Sequence, residues 1–240
     1  MEVMRGRALR VGGVGRQGCA EGPEALGADR GDAVLVLEGA LHRRKGSPVM
    51  VRRWRRNRAG RTIAFTSRRS GGTEIYSMSA EGSEPLRLTH SGSNDTPAWS
   101  PDGHTIAFTS RRDDNDEIYV MNAGGKDERR LTRRPSEDFS PSWSPDGRRI
   151  ALTSFRKGGF GIDVMDADGT HQRRLLHDRM GGTLLPSWSP DGRHIAFHRV
   201  TNSGLEICIV NADGSGVRQL TRNVWLDAAP GWQPVVALRK

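Results

Sequence analysis

The feature that most constrains the fold is a cassette of about 45 residues that recurs along the chain. The pattern Pro-x-Trp-Ser-Pro-Asp-Gly begins at Pro97, Pro141 and Pro186, and a shorter echo, Pro-Gly-Trp-Gln-Pro, begins at Pro230. These prolines are spaced by 44, 45 and 44 residues. A fixed period of this length indicates a repeat architecture in which each unit packs only against its neighbours.

Each unit predicts four short β-strands joined by turns. In the first full unit, a strand that ends at Trp99 is followed by Ser-Pro-Asp-Gly, whose proline and glycine favour a tight turn. Residues 105–110, 117–121 and 129–132 supply the other three strands. Neither face of the second and third strands is lined by charged side chains, so we expect both faces to be covered. The all-β fold that meets this need is a β-propeller of four-stranded antiparallel blades.

Three residue types mark each cassette and are expected to have structural roles. The tryptophan buries a large aromatic area and suits the wedge between two blades. The aspartate of the turn bonds nearby backbone N–H groups, and the glycine tolerates the exit geometry. The tryptophans are Trp99, Trp143, Trp188 and Trp232, the aspartates are Asp102, Asp146 and Asp191, and the glycines are Gly103, Gly147 and Gly192.

The repeats also predict the domain limits. The units span residues 61–96, 97–140, 141–185 and 186–229, a closing strand spans 230–234, and a tail spans 235–240. The first unit lacks its own first strand, so we expect the closing strand to complete the first blade. This arrangement removes two exposed sheet edges and gives about four blades. The alternatives are an open arc and a chain that pairs with another chain.

The basic character of the chain is concentrated before the repeats. Residues 1–60 carry 13 Lys and Arg against 6 Asp and Glu, whereas residues 61–240 carry 24 against 22. This leader is rich in glycine and arginine with little apolar periodicity, so we expect it to be disordered. Because the repeats are close to neutral, we predict no specific nucleic-acid partner for them.

The cassette resembles the WD-like PD40 repeat of the TolB-type β-propeller family. The resemblance rests on Trp-Ser-Pro-Asp-Gly, Ile-Ala-Phe-Thr-Ser, Glu-Ile-Tyr-Val-Met-Asn and Arg-Arg-Leu-Thr, and it covers about residues 61–234. It implies a six-bladed toroid, an extracytoplasmic location (periplasmic or secreted) and a binding scaffold rather than a catalyst. The sequence departs from the family in its leader, whose longest apolar run, residues 33–37, is too short for a signal peptide or a membrane span.

Motifs of catalytic sites are missing from the sequence. It contains neither G-x-S-x-G nor H-E-x-x-H, and its seven histidines are scattered. Cys19 and Cys208 form neither a disulfide framework nor a metal-ligand cluster. We therefore expect a protein that is not an enzyme and that needs no cofactor.

One set of residues is a candidate binding site. It lies three residues before each proline, and it comprises Asn94, Asp138, Thr183 and Asp227, with Asp95 adjacent to the first. If the first strand is innermost, as the resemblance implies, these side chains ring one mouth of the central channel. Their oxygens could hold calcium, or they could receive an extended peptide or the basic tip of a protein partner. The structural alternative is that they make Asx turns before the strand.

A second recurring pattern predicts ion pairs. Arg69 with Glu74, and Arg112 with Glu117, lie at the two ends of one hairpin. We expect them to form cross-strand ion pairs worth about 0–1 kcal/mol each.

Two enzyme-related alternatives stay open. The chain could be the accessory propeller of a prolyl-peptidase-type serine hydrolase, although no residues remain here for the hydrolase domain. It could also be a propeller lyase with a channel-bound metal, which the scattered histidines support poorly. Strong repeats without a catalytic constellation favour a noncatalytic propeller that presents its loops and channel to a protein or peptide.

Overall fold

The structure is a computed structural model that describes residues 55–56, 61–83, 85–156, 159–177, 182–202, 204–222 and 226–232. The predicted leader lies outside the described residues, except for residues 55–56. The predicted tail at 235–240 and the last two residues of the closing strand lie outside them as well.

The described residues form four four-stranded antiparallel sheets, which confirms the predicted propeller of four-stranded blades. In the first sheet, β1–β4 are Arg55–Arg56, Thr62–Ser67, Glu74–Ser79 and Leu86–Arg87. In the second, β5–β8 are Asn94–Trp99, Thr105–Asp113, Asn115–Asn122 and Arg129–Arg130. In the third, β9–β12 are Glu137–Trp143, Arg149–Arg156, Gly159–Asp166 and Arg173–His177. In the fourth, β13–β16 are Thr183–Trp188, His194–Thr201, Gly204–Asn211 and Arg218–Gln219.

The residues that the structure describes form strands, turns and loops only. Within the described ranges, no helix has the length and apolar character needed to cross a membrane.

Successive sheets pack against one another through their first strands. Each sheet is a meander in which sequence neighbours pair. Strand β5 packs on β2 and β3 of the first sheet, β9 packs on β5, β6 and β7, and β13 packs on β9, β10 and β11. Each repeat therefore covers a face of the repeat before it, as the absence of a charged face predicts.

The hydrophobic core lies between the sheets, and the repeated tryptophans are part of it. Trp99 packs with Ile75 of the first sheet and Phe108 of the second. Trp143 and Trp188 lie at the next two interfaces in the same way. Large aromatic side chains at each interface supply much of the apolar area that holds neighbouring sheets together.

The structure differs from the prediction at the first sheet. The position of its first strand is held by β1, in which Arg55 pairs with Ala64 and Arg56 pairs with Ile63. The predicted closing strand does not hold it. Only five residues separate β1 from β2. A short loop of this kind costs less closure entropy than pairing with a strand almost 170 residues away.

The closing segment, residues 226–232, lies against the fourth sheet instead. The indole N–H of Trp232 donates to the carbonyl oxygen of Ser187 in β13 at 2.9 Å. The indole of Trp143 makes the same bond to Ala98 in β5 at 3.1 Å. Because the two bonds are equivalent, the closing segment occupies the place of a first strand that follows the fourth sheet.

Each first strand is irregular just before its proline. The register shifts there in β5, β9 and β13. The residue before the proline has a positive φ of 51° to 56°. These residues are Thr96, Ser140, Leu185 and Ala229. A positive φ is costly for a residue with a side chain, and the position before proline disfavours it further, so other contacts must stabilise this backbone.

A threonine of the preceding sheet stabilises the strained residue of β9 and of β13, whereas the N–H of Thr96 in β5 donates to Asp95. The N–H of Ser140 donates to Thr109 Oγ1, and the N–H of Leu185 donates to Thr153 Oγ1, both at 3.0 Å. Each threonine belongs to the second strand of its sheet. The bond therefore fixes the start of one first strand to the middle of the sheet before it.

His198 takes the place of this threonine in the fourth sheet. Its Nδ1 lies 3.5 Å from the N–H of Ala229, in the closing segment. Nδ1 can accept this bond only when it carries no proton. His198 departs from the sequence pattern of the repeat, but its Nδ1 still provides a hydrogen-bond acceptor for the N–H of the strained residue.

The Ser-Pro-Asp-Gly turn has the same hydrogen bonds in every repeat. Asp102 Oδ1 accepts the hydroxyl of Ser100 at 2.5 Å and the N–H of His104 at 3.0 Å. The other copies are Ser144 with Asp146 and Ser189 with Asp191. In all three turns the serine hydroxyl is the main cause that holds the pKa of the aspartate below its ordinary value.

The substitution Thr153→Val removes the acceptor of the Leu185 N–H while keeping the shape of the side chain. We expect the free energy of unfolding to fall by about 1–3 kcal/mol, because a partly buried donor is left without a partner. Thr153→Ser keeps the hydroxyl and is the matched control. Urea unfolding followed by circular dichroism measures both. Equal losses in the two variants would contradict a role for the hydroxyl.

The three turn aspartates predict an acid-dependent stability. Their lowered pKa values stabilise the folded state above the ordinary value of 3.8, and this contribution is lost as the pH falls through the folded-state values. The triple variant Asp102→Asn, Asp146→Asn, Asp191→Asn should be less stable than the native protein at pH 7. The gap should close towards pH 2. Urea midpoints measured across this range test the prediction, and a gap that does not change with pH would refute it.

Candidate functional site

Asn94, the first of the predicted channel-mouth residues, is buried and links two sheets. Its Nδ2 donates to Glu74 Oε2 of the first sheet and to the carbonyl oxygen of Ser91, both at 2.8 Å. Its Oδ1 accepts a bond from Arg112 at 3.3 Å. These bonds occupy the amide group, so the side chain acts as a structural link between the first and second sheets.

Asp138 in β9 and Thr183 in β13 are buried as well. Asp138 Oδ2 accepts a hydrogen bond from Gln172 Nε2 at 3.0 Å. Among the described residues, Asp138 Oδ1 and Thr183 Oγ1 have no hydrogen-bond partner. Buried polar atoms without partners cost free energy. Buried polar side chains of the repeat therefore have fewer hydrogen-bond partners around the third sheet than around the first two.

Asp95 and Asp227 are the two predicted mouth residues that are partly exposed. Asp95 Oδ1 accepts the hydroxyl of Thr66 at 2.8 Å and the N–H of Thr96 at 2.7 Å. The N–H of Asp227 donates to the carbonyl oxygen of Leu205 at 2.9 Å. The bonds found for the predicted set therefore run within one sheet or between neighbouring sheets.

The predicted calcium site has no support from side-chain geometry. In the part of the chain that the structure describes, no group of three or more His, Cys, Asp or Glu side chains is placed to hold a metal ion. Calcium takes about 6–8 oxygen ligands. A channel-mouth cation therefore stays a prediction from the sequence.

A buried glutamate lies within the first three residues of the third strand in three sheets, and a threonine hydroxyl donates a hydrogen bond to it. This threonine follows the fourth strand of the same sheet. Its oxygen also accepts the backbone N–H of the residue after the glutamate. The pairs are Thr89 with Glu74 at 2.5 Å, Thr132 with Glu117, and Thr221 with Glu206 at 2.6 Å. The Leu-Thr motif of the cassette is thus explained by its bond to the buried carboxylate.

The ion pairs predicted within the hairpins are wrong. Glu117 pairs with Arg130 of β8 at 2.7 Å. Arg112 instead places its guanidinium over the ring of Tyr119, 4.4 Å from the centroid. In the first sheet the corresponding contacts are Glu74 with Arg87 at 2.8 Å and Arg69 over Tyr76 at 4.8 Å. The planar guanidinium favours the aromatic face, which leaves the carboxylate to the arginine of the fourth strand.

The third sheet lacks this network because Gly161 and Leu176 replace the glutamate and the threonine. Arg174 Nε lies 2.6 Å from Asp163 Oδ1, and Arg156 also pairs with Asp163. A side chain at Gly161 would collide with the Arg174 guanidinium, so arginine fills the place of the missing glutamate. Burial raises the pKa of Asp163 and lowers that of Arg174, in each case against the effect of the opposite charge.

Partly exposed side chains form a separate cluster at the β6–β7 hairpin, and this cluster is charged. Arg111 Nε lies 3.1 Å from Asp116 Oδ1, and Arg111 Nη2 lies 3.5 Å from Glu137 Oε1. Burial raises the pKa of Asp116. Arg111 opposes this rise, and the charges of Glu137 and Asp95 add to it. One arginine therefore pairs with two carboxylates, and the cluster has an excess of negative charge.

The corresponding cluster at the β10–β11 hairpin is aromatic. Phe155 lies opposite Phe160 in the ladder, with ring centroids 4.6 Å apart, and Phe139 meets Phe160 edge-on at 6.2 Å. Phe155 is 42% exposed. Glu137 lies directly opposite Phe155 in the β9–β10 ladder. The charged and aromatic clusters are therefore adjacent.

The cluster at the β14–β15 hairpin is aliphatic. Val200 lies opposite Leu205, and Val200 and Leu226 are 38% and 58% exposed. A Cβ at Gly182 would lie 3.3 Å from Phe160 and 3.4 Å from Val200. The aromatic and aliphatic clusters therefore approach each other across Gly182. The three clusters together are called the hairpin surface below.

Sequence reasoning missed the hairpin surface, although a signal for it was present. The shared motifs of the repeats do not include the hairpins, where the repeats differ from one another. The residue after the Thr-Ser or His-Arg pair of the second strand is Arg68, Arg111, Phe155 and Val200 in successive repeats. This single position changes from basic to apolar side chains along the repeats, and this change is the signal for the hairpin surface.

The comparison with family models identifies the family. The model described as the TolB beta propeller domain, PD40, matches residues 89–236, which is more than half of the chain. The chain belongs to the TolB β-propeller family. No curated protein matches this TolB-type propeller significantly.

Solved structures of TolB proteins resemble this chain. The putative TolB from Agrobacterium tumefaciens is 28% identical with a TM-score of 0.66, and the match covers 76% of this chain and 65% of that chain. TolB from Acinetobacter baumannii is 26% identical with a TM-score of 0.62, covering 72% of this chain and 43% of that chain. The chain thus spans less than two thirds of either protein. A puromycin-hydrolyzing peptidase from Mycobacterium tuberculosis, 16% identical with a TM-score of 0.57, matches over 74% of this chain and 30% of that chain and shares the fold.

The substitution Gly161→Ala tests the replacement of the glutamate network by Arg174. The added methyl group would collide with the Arg174 guanidinium and with the backbone carbonyl of Leu176. We expect a loss of about 1–3 kcal/mol in the free energy of unfolding, because a packed site must expand. Gly72→Ala, where the nearest atom lies 3.9 Å away, is the control. Urea unfolding that shows the same stability for both variants would contradict this account.

Proposed function

We propose that this TolB-type propeller is a noncatalytic scaffold that binds a protein or peptide partner. The observation that carries the proposal is the hairpin surface. There, exposed aromatic and aliphatic side chains lie beside a group of charged ones. Apolar patches rimmed by polar side chains are typical of protein interaction sites. An interaction surface on hairpins held by a rigid stack of sheets suits a scaffold.

The buried carboxylates support a noncatalytic role, because structural bonds occupy them. Glu74 and Glu117 each accept a threonine hydroxyl and pair with an arginine of their own sheet. A general base or nucleophile must instead reach a substrate atom within hydrogen-bond distance. The thiol of Cys208 is buried in the core between the third and fourth sheets.

The two enzyme-related alternatives receive no support beyond a shared fold. A propeller fold serves many unrelated functions, so likeness to the propeller of a peptidase does not transfer the activity of the peptidase. The chain spans only part of its TolB relatives, and a complete TolB role is for that reason also outside this proposal. An extracytoplasmic location, as the family resemblance implies, belongs to it.

Affinity capture with the immobilised full chain tests the proposal. We expect it to retain a protein or peptide from an extract of the source organism, and we expect retention to stop when the extract is first digested with a broad-specificity protease. The purified partner should then bind in isothermal titration calorimetry with no chemical change in either component. A retained ligand that survives the digestion, or one that the protein converts to a product, would refute the proposal.

The same assay tests the predicted channel mouth. Asp95→Asn and Asp227→Asn change its two partly exposed members, and a weakening of at least tenfold in the double variant would support binding there. Unchanged affinity would exclude the mouth as the binding site. Titration with calcium and with a chelator tests the predicted cation, since a calcium-dependent complex should dissociate when the chelator is added.

A further inference from the structure

The hairpin surface changes its chemistry from repeat to repeat at positions that are structurally equivalent. Three positions define each cluster: the two residues that flank the hairpin and the residue that precedes the next channel-mouth position. In the three clusters of the hairpin surface these residues are Arg111, Asp116 and Glu137; Phe155, Phe160 and Gly182; and Val200, Leu205 and Leu226, and the first sheet has Arg68, Thr73 and Ser93 at the same positions. Along the hairpin surface the clusters change from charged to aromatic and then to aliphatic.

The fold does not require the apolar side chains. In the second sheet Arg111 and Asp116 hold the same hairpin with an ion pair, and the β6–β7 ladder forms around it. Phe155, Val200 and Leu226 each leave more than a third of their surface exposed. Packing within the chain therefore does not explain why two neighbouring clusters are apolar.

We propose that the hairpin surface binds an extended segment of a protein partner that carries a lysine or arginine followed by aromatic or aliphatic side chains. This inference rests on the proposed function, and it specifies the class of partner and where its side chains lie. The segment runs from the second sheet towards the fourth.

The charged cluster accounts for the basic residue. Asp116 and Glu137 share the single guanidinium of Arg111. The side chain of Glu137 is 45% exposed and holds Arg111 by a long contact of 3.5 Å. A second cation from a partner would balance the remaining negative charge, and complementary charges of this kind contribute specificity and faster association.

The apolar clusters explain why aromatic or aliphatic residues should come after the basic residue in the partner. Glu137 lies opposite Phe155, so a chain bound at the carboxylates meets the aromatic pair next. Beyond it, Gly182 separates Phe160 from Val200 without a side chain of its own. Aromatic and aliphatic groups placed on this strip would remove both surfaces from water, at roughly 25 cal/mol per Å² of apolar surface before the costs of binding.

The distance between sheets predicts the spacing in the partner. Packed sheets lie about 10 Å apart, and an extended chain advances about 3.3 Å per residue. The basic residue should therefore precede the first apolar residue by about three positions, and a second apolar residue should follow about three positions later.

Selection from a random twelve-residue peptide library displayed on phage, against the immobilised full chain, tests the inference. The expected result is enrichment of peptides with Lys or Arg about three positions before an aromatic or aliphatic residue. Enrichment of acidic residues at that position, or of peptides without apolar residues, would overturn it.

Variants of the chain then locate the enriched peptide by fluorescence anisotropy. The double variant Phe155→Arg, Phe160→Asp installs the pair that the second sheet already carries, and it should weaken binding at least tenfold. Leu226→Ser, a milder change in the aliphatic cluster, should weaken binding at least threefold. Leu86→Ser removes a 60% exposed leucine of β4, outside the surface, and should leave the affinity unchanged.

The charged half needs its own variant. Asp116→Asn with Glu137→Gln should weaken the peptide that carries lysine at least threefold and leave its lysine-to-glycine analogue unchanged. A parallel loss for both peptides would show a general effect on the surface, and it would overturn the role assigned to the carboxylates.

The outcomes separate this inference from the proposed function. Enriched peptides that bind all variants equally would overturn the inference and leave the scaffold role standing. A library that yields no binding peptide, together with a failed capture of any protein, would defeat both. Self-association of the native chain in sedimentation, lost in the Phe155→Arg, Phe160→Asp variant, would show that a second copy covers the surface, and it would overturn the assignment to a peptide partner.

Discussion

The second and third sheets each have two apolar faces, and the neighbouring sheets cover both of them. Burial between sheets supplies the favourable free energy, but apolar contact by itself does not fix how one sheet sits on the next. The directional part comes from hydrogen bonds between neighbouring sheets. The indole N–H groups of Trp143 and Trp232 donate to carbonyl oxygens of the preceding first strand, whereas those of Trp99 and Trp188 have no partner among the described residues. The N–H of a strained residue reaches a side chain of the preceding second strand.

This bond also explains where the hairpin surface lies. The strained residue follows the channel-mouth position by two residues, so in β9 and β13 its bond to the preceding sheet holds the start of the strand next to a hairpin of that sheet. Glu137 and Gly182 are brought in this way beside the hairpins of the second and third sheets. A surface that could bind an extended partner segment thus depends on the register of sheet packing.

Departures from the repeat are concentrated in the third sheet. Gly161 and Leu176 replace the bonded glutamate and threonine together, and Arg174 with Asp163 forms a different buried pair. At the hairpin of the same sheet an aromatic pair replaces an ion pair. Repeats that need only conserve their interfaces are free to vary at their hairpins, because hairpin side chains contribute little to packing between sheets.

The prediction from the sequence was accurate for the architecture and weak for the candidate site. Period, turn residues and uncharged strands predicted four-stranded blades, because these signals depend on residues close together in the chain. The hairpin ion pairs were predicted wrongly. The spacing of Arg112 and Glu117 along the chain suggested a contact, but it could not show that Arg112 packs on the ring of Tyr119 and that Glu117 pairs with another arginine. The closing strand was predicted to complete the first sheet because this would leave fewer exposed sheet edges. In the structure β1 takes that place, since only a short loop connects it to β2.

The amino-acid sequence by itself determined the strands, the turns and the number of complete cassettes. It could do so because proline, glycine and β-branched residues act on the backbone within a few positions. The tertiary structure alone decided which arginine pairs with each buried glutamate, that His198 can replace a threonine, and where the closing segment lies. These outcomes depend on side-chain directions and on contacts between residues up to 45 positions apart, which the local pattern does not encode.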